Sequence, residues 1–284
     1  MENVARGDCR TGGDMNKEIG IGILLTVAIA GGLAYWYYGP APAPQTRAEH
    51  SAPAPDAPMG EAIQYPVPAE IESDPLPALA DSDPMFSGAL AQLFGAPAVA
   101  AYLVPKNLIA QLVATIDSLD REPAPLRTRA IKALPKLPVV DTTGNKPDDK
   151  IFLSAKNSER YQPLTMALQT VGGKTLAELY LRYYPLFQQA YVELGFPQGY
   201  FNDRLIKIID HLLATPEVKE PIPLVRPKVL YQFADPDLER RSSGQKILLR
   251  LGTDNARAIK AKLREIRGVV AAAPGVMNEA DRAP

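Results

Sequence analysis

The chain has 284 residues, one cysteine and two histidines, and a formal net charge of −1. These numbers exclude a disulfide framework, a thiolate zinc site and a histidine-rich metal centre. The near-neutral total hides a division, because residues 1–84 carry 4 Lys/Arg against 12 Asp/Glu and residues 85–284 carry 27 against 20. An acidic leader joined to a basic body suggests a tail-plus-domain layout and an acidic partner for the body.

The first element is an apolar run, Ile19 to Tyr38 (IGIGILLTVAIAGGLAYWYY), with no charge until Arg47. Twenty residues at ~1.5 Å each match the ~30 Å hydrocarbon core of a bilayer, so a membrane-spanning helix is predicted over 19–38. Tyr35, Trp36, Tyr37 and Tyr38 cluster at one end, as interfacial aromatics do. A cleavable signal peptide is the competing reading, because Ala41-Pro42-Ala43 mimics a cleavage site. The aromatic run and Pro44 beside that site favour an uncleaved signal anchor. Arg6, Arg10 and Lys17 precede the span and only Arg47 follows closely. The positive-inside rule then puts residues 1–18 in the cytoplasm and the body on the other side of the membrane. Met15, which abuts a short charged n-region, is an alternative start.

Residues 40–84 hold eleven prolines, in runs such as PAPAP and SAPAPDAP. Repeated proline disfavours helix and sheet, so 39–83 reads as a disordered Pro/Ala-rich spacer. The body, residues 84–270, reads as mainly α, a compact set of six to eight helices with at most one small β-hairpin. Asp83-Pro84 caps the first helix and Pro105 opens the next. Leu108, Ile109, Leu112, Val113, Ile116 and Leu119 recur at helical spacing and form one apolar stripe. Val139-Val140 and Ile151–Leu153 flank a turn-rich stretch and predict the hairpin. A helix from Ser158 stops at Gly172-Gly173. Thr175 and Glu178 form a capping box for a helix to Leu194, kinked at Pro185. Phe201–Leu213 is helical with Phe201, Leu205, Ile208 and Leu212 inward. Asp235 and Ser242 (with Gln245) cap two more helices; Thr253 or Asp254 caps a last one ending near Arg267. Residues 271–284 read as a disordered tail.

Several motifs bear on chemistry. Gly172-Gly173-Lys174-Thr175 resembles the end of a phosphate loop, but position 168 is leucine where that loop needs glycine. Ser243-Gly244-Gln245-Lys246 matches the S-x-x-K nucleophile motif of penicillin-recognising enzymes, yet K-T-G and S-D-N are absent, and Ser243 reads as part of a helix cap. Tyr180, Tyr184, Phe187 and Tyr191 fall on one helical face and read as core. Asp203 and Asp210 lie two turns apart, with His211 adjacent. With Tyr200 and Asn202 they make an alternative glycan-binding or glycan-cleaving site. The strongest anomaly is the stretch 240–267, with nine Lys/Arg against two acids. A narrow apolar stripe leaves most of these charges facing solvent. Arg250, Arg257, Lys260, Arg264 and Arg267 are therefore the candidate contacts for an anionic envelope partner, either lipid headgroup, acidic glycan or acidic protein. The inferred side of the membrane argues against nucleic acid. No cofactor or metal is expected, and the leading reading is a non-enzymatic interaction or scaffold module.

The stretches YYPLFQQAYVELGFPQGYFNDRLIKIIDHLLATPEV (183–218), LVRPKVLYQFADPDLE (224–239) and SGQKILLRLGTDNARAIKAKLREIR (243–267) resemble the bacterial domain-of-unknown-function family numbered 3014. An anchor followed by a proline-rich spacer is similar too. The resemblance covers residues 84–267 and implies a bacterial envelope protein. It brings no activity, cofactor or catalytic residue.

Overall fold

The computed structural model describes residues 62–67, 75–122, 130, 132, 139–144, 149–228 and 230–272. The expected anchor over 19–38 and the cytoplasmic segment 1–18 lie outside the described residues, as do most of the spacer and residues 273–284. Among the described residues no single helix is long and apolar enough to cross a membrane.

After a 3₁₀ turn at Leu79–Asp81, α1 spans Asp83–Phe94 and α2 spans Ala96–Tyr102, bent against α1 by 117°. The N-cap of α1 is Ser82 rather than Asp83. The Asp83 carboxylate instead accepts the backbone N–H groups of Asn107 and Leu108, both at 2.7 Å. It thereby caps α3, Leu108–Asp117, which opens three residues after Pro105. The apolar stripe lies where periodicity puts it, since Leu108, Ile109, Leu112, Val113, Ile116 and Leu119 are all buried. α4 spans Lys156–Thr170 and α5 spans Gly173–Glu193, unbroken through Pro185. Thr175 lies inside α5 and does not cap it. Glu265, from the last helix, accepts the N–H of Gly173 at 2.9 Å and satisfies the helix end two residues earlier. This close approach also accounts for the glycine, because a Cβ on Gly173 would sit 2.4 Å from the Glu265 Cβ.

α6 spans Phe201–Leu213, as predicted, with Phe201, Leu205, Ile208 and Leu212 buried. The one-turn α7, Pro236–Glu239, is capped by Asp235, and α8, Ser243–Arg250, is capped by Ser242, whose Oγ accepts from the N–H of Gln245. α9 runs from Thr253 to Ala271, a turn past the expected end, and buries Val270. Neither Thr253 nor Asp254 is its N-cap; Glu220 accepts both the N–H and the hydroxyl of Thr253.

Helix α9 packs on α4, α5 and α6, and α3 packs on α5 and α6. Between them lies the main core, in which Phe86, Tyr180, Tyr183, Phe187 and Phe201 are fully buried. Phe86–Tyr183 at 5.0 Å and Tyr180–Phe187 at 5.3 Å meet edge to face, and Phe187 stacks on Phe201 at 5.9 Å. Each such ring contributes about 2–3 kcal/mol by leaving water. The buried hydroxyls are matched, Tyr180 donating to Asn202 Oδ1 and Tyr184 to Gln188 Oε1.

The predicted hairpin is present as β1, Val140–Thr142, and β2, Ile151–Leu153. It is not alone. β3, Pro223–Val225, pairs antiparallel with β2, and β4, Gln232–Phe233, pairs with β3, giving a four-stranded sheet in the order β1-β2-β3-β4. Strands of two or three residues flanked by prolines are too short to display period-two alternation, so the expectation of at most one hairpin fails there. Ile222, Leu224, Phe233, Leu238 and Leu249 form a small core under the sheet.

The expected spacer also needs correction where it is described. Tyr65, Val67, Leu76 and Leu79 pack against the main core, so the folded body includes residues before 84. Proline removes helix and ladder hydrogen bonds, but it does not stop an extended segment from docking through its remaining main-chain groups.

Candidate functional site

The start of α6 is set by the preceding helix. Gln188 on α5 donates to the carbonyl of Gly199 at 2.7 Å and accepts the N–H of Phe201 at 2.8 Å, which fixes the loop before α6. Buried Phe201 then roots the first turn, and the sequence Tyr200-Phe201-Asn202-Asp203 delivers three polar side chains to one place.

Each of them holds the main chain of the segment Gln64–Val67. Asp203 accepts the N–H of Tyr65 through Oδ1 at 2.8 Å and that of Gln64 through Oδ2 at 2.9 Å. The Tyr200 hydroxyl accepts the N–H of Val67 at 2.6 Å. Asn202, fully buried, donates to the carbonyls of Tyr65 at 2.8 Å and Val270 at 3.2 Å while its Oδ1 takes the Tyr180 hydroxyl. Hydrogen bonds to an ionised carboxylate contribute about 1.5–3 kcal/mol each. A cavity of about 1030 Å³ opens beside the segment. Its walls include Tyr191 and Phe196, stacked at 4.6 Å, with Arg121 and Lys207.

Beneath the clamp, Arg204 spans two acids, meeting Asp117 Oδ1 at 2.7 Å and Asp120 at 2.7 and 2.8 Å. Burial alone would raise the Asp120 pKa, but the Arg204 hydrogen bond and charge outweigh it and hold the carboxyl below its usual range. Asp210 is bidentate to Arg267 at 2.5 and 2.8 Å. The two acids of the glycan reading are thus engaged, one with peptide N–H groups and the other with a guanidinium.

His211 Nε2 lies 2.6 Å from Ser242 Oγ, and burial pulls its pKa below the ordinary imidazole value. Among the described residues this serine–histidine contact has no oxyanion site beside it. The amides that follow Ser242 are occupied, Ser243 N–H by the Arg121 carbonyl, Gly244 N–H by the Leu119 carbonyl and Gln245 N–H by Ser242 Oγ itself. The arrangement is a helix cap with a histidine leaning on it.

The cationic stretch does not face solvent as expected. Lys246, Lys260 and Lys262 are buried. Lys246 meets Glu122 and Glu239, Lys260 donates to the Thr215 carbonyl, and Lys262 pairs with Glu265 at 2.8 Å. Arg257 pairs with Glu217 at 2.8 Å, and the Arg250 guanidinium lies 4.8 Å from the centre of the Phe233 ring. Of the five candidate contacts, Arg264 alone is exposed with no ion pair among the described residues. Lys262 finds its acid on its own helix, but Lys246, Arg257 and Arg267 find theirs on other elements, a pattern that local sequence cannot display.

Sequence reasoning named Tyr200, Asn202 and Asp203 but assigned them to sugar. It missed Gln64–Val67, Gln188 and Arg204. The one local signal was Tyr65 and Val67, apolar side chains in an otherwise Pro/Ala-rich stretch. Among the described residues no group of three or more His, Cys, Asp or Glu stands close enough to hold a metal ion.

No curated protein and no solved structure matches the chain. A family model described as "Protein of unknown function (DUF3014)" matches residues 108–267, from the start of α3 to near the end of α9. That span is more than half of the chain and carries the clamp's α6 side, and by it the protein belongs to the DUF3014 family.

Proposed function

We propose that this is a bacterial envelope protein whose helical body is a non-enzymatic interaction module, anchored by residues 19–38 and displayed in the periplasm. The anchor and the topology rest on the apolar run and the Lys/Arg bias around it. The interaction reading rests on one observation, the grip of Tyr200, Asn202 and Asp203 on the main chain of Gln64–Val67. Side chains that satisfy the N–H and C=O groups of an extended segment do the work of peptide recognition. The same residues have no carboxylate free for acid–base work on a sugar. The anionic-partner reading keeps little support, since its cations are mostly buried or paired within the protein.

The test uses the full chain in its native membrane. A photo-crosslinking residue at Lys207, exposed on the cavity wall, should give discrete adducts with envelope proteins, and the same residue at exposed Met166 should not. A periplasm-dependent reporter fused after Pro284 should be active. No adduct at Lys207, or equal adducts at both positions, overturns the module. A reporter active only in the cytoplasm overturns the topology.

A further inference from the structure

We propose, building on the interaction-module reading, that the start of α6 is an exchangeable peptide-binding site and that Gln64–Val67 is its resident occupant. The ligand class is an extended, uncharged segment with an aromatic–proline core. The clamp reads the main chain in a definite order, taking the N–H of residue 64, the N–H and C=O of residue 65, and the N–H of residue 67. Residue 66 is proline, which has no N–H to give, and there the clamp asks for none. The match between a silent position and a proline is what a binding motif requires.

The two sides differ in how they are held. Asn202 is fixed by the Tyr180 hydroxyl, and Asp203 stands in the first turn of a thirteen-residue helix rooted by Phe201. The receptor half is therefore built without help from the segment, and a preformed site loses little freedom on binding. The segment has no helix or strand of its own, and Gln64 is exposed. Only Tyr65, Pro66 and Val67 are half-buried.

The ligand should be uncharged because the guanidinium groups around the site are already answered, and the one lysine on the cavity wall, Lys207, is exposed to solvent. Arg204 is matched by Asp117 and Asp120, and Arg267 by Asp210. An acidic ligand would meet Asp203 and Asp210, and a basic one would compete with guanidinium groups already in place. The cavity of about 1030 Å³ gives room for a ligand longer than the resident segment. A segment joined to the body by a short connection competes at a millimolar effective concentration. Outside ligands should therefore bind the native chain weakly and a vacated chain well.

The probe is a labelled synthetic peptide AIQYPV, copying residues 62–67, added to full-length protein in nanodiscs. In the vacated variant those six residues are replaced by a Gly/Ser stretch of equal length. Fluorescence anisotropy should report binding to the vacated variant at least ~50-fold tighter than to the native chain, the ratio an intramolecular competitor imposes. Methylation of the Tyr65 nitrogen in the peptide, and Tyr200→Phe or Asp203→Ala in the vacated protein, should each weaken it about tenfold. A folded vacated variant that binds no peptide, or binding indifferent to these changes, overturns the proposal. A second measurement needs no variant. In native-state hydrogen exchange, the Gln64, Tyr65 and Val67 amides should exchange through a local opening while α6 stays protected. Exchange of those amides only with global unfolding is equally fatal. Adducts at Lys207 without peptide binding would sink this inference and leave the interaction module standing.

Discussion

Helices α6 and α9 lie against each other, and each offered a candidate site, but their polar groups do opposite things. α9 carries five cations between Arg257 and Arg267, and four of them are answered inside the protein, by Glu217, the Thr215 carbonyl, Glu265 and Asp210. The N-cap and first turn of α6 carry a phenol, an amide and a carboxylate, and all three reach the main chain of a segment some 135 residues earlier. A run of like charge is thus a poor guide to the field outside a helix, because most of the groups that answer it come from distant parts of the chain. Polar side chains that converge on main-chain groups mark a place where the fold holds an extended segment.

The largest test of this contrast is Arg204→Ala. Arg204 is nearly buried under the clamp, and its loss leaves Asp117, itself only 5% exposed, with the more exposed Arg121 as its remaining partner. Removing one member of a buried pair costs about 3 kcal/mol, which urea unfolding should register as a lower midpoint with an unchanged slope. A loss below about 1 kcal/mol would mean that α6 holds its charges as loosely as a surface helix does.

Next is Gly173→Ala. Alanine favours a helix, yet its Cβ would collide with Glu265 of α9, and overpacking of this kind costs about 1–3 kcal/mol. The expected readout is a lower melting temperature. A neutral or stabilised variant would show that α9 is free to shift and that its charges are not fixed in their pairs.

Much of the fold was legible. The stripe of α3, the bounds of α6, the buried aromatic face of α5 and the caps Asp235 and Ser242 all follow from spacing and local chemistry. The misplaced helix caps share one physical cause. Asp83 caps α3 instead of its own helix, Glu265 replaces Thr175, and Glu220 replaces Thr253 or Asp254. A helix end needs an acceptor, and sequence shows only the acceptors nearby. The site was half legible for the same reason. Tyr200, Asn202 and Asp203 stood out as polar residues at a helix start, but their partner is sequence-distant and was hidden by proline.

Lys260→Met probes α9 more finely. Burial lowers the Lys260 pKa, so the folded state pays to keep the ammonium there, with one carbonyl as its hydrogen-bond partner. Methionine has similar length and no charge, and the variant should be as stable as the parent or more stable by about 1 kcal/mol at neutral pH. The sign of the pH dependence follows. A lysine depressed in the folded state destabilises fully below its folded pKa, and the penalty fades as pH rises toward the unfolded value of about 10.4. The advantage of methionine should shrink over that range. A variant weaker by more than about 2 kcal/mol would mean that the Thr215 carbonyl depends on this lysine, and α9 would then resemble α6.

The smallest expected effect lies at His211, where α6 meets the cap of α8. Its imidazole is half-buried against Ser242, faced by Asp120, which favours the charged form, and by Arg204 and Arg241, which oppose it. Burial and the two guanidiniums prevail, so the folded-state pKa lies below the ordinary value. As pH falls through about 6.5 the unfolded chain takes up the proton first, and the folded state loses stability until its own lower pKa is passed. The depressed carboxyls Asp120 and Glu217 act in the same direction, but only at more acidic pH, below the ordinary carboxylate values. Urea midpoints of the native chain should therefore decline between about pH 7 and 5, and those of His211→Gln should decline less over the same window. Parallel declines would mean that His211 keeps an ordinary pKa in the fold, that Asp120 balances the burial, and that this end of α6 is as well neutralised as α9.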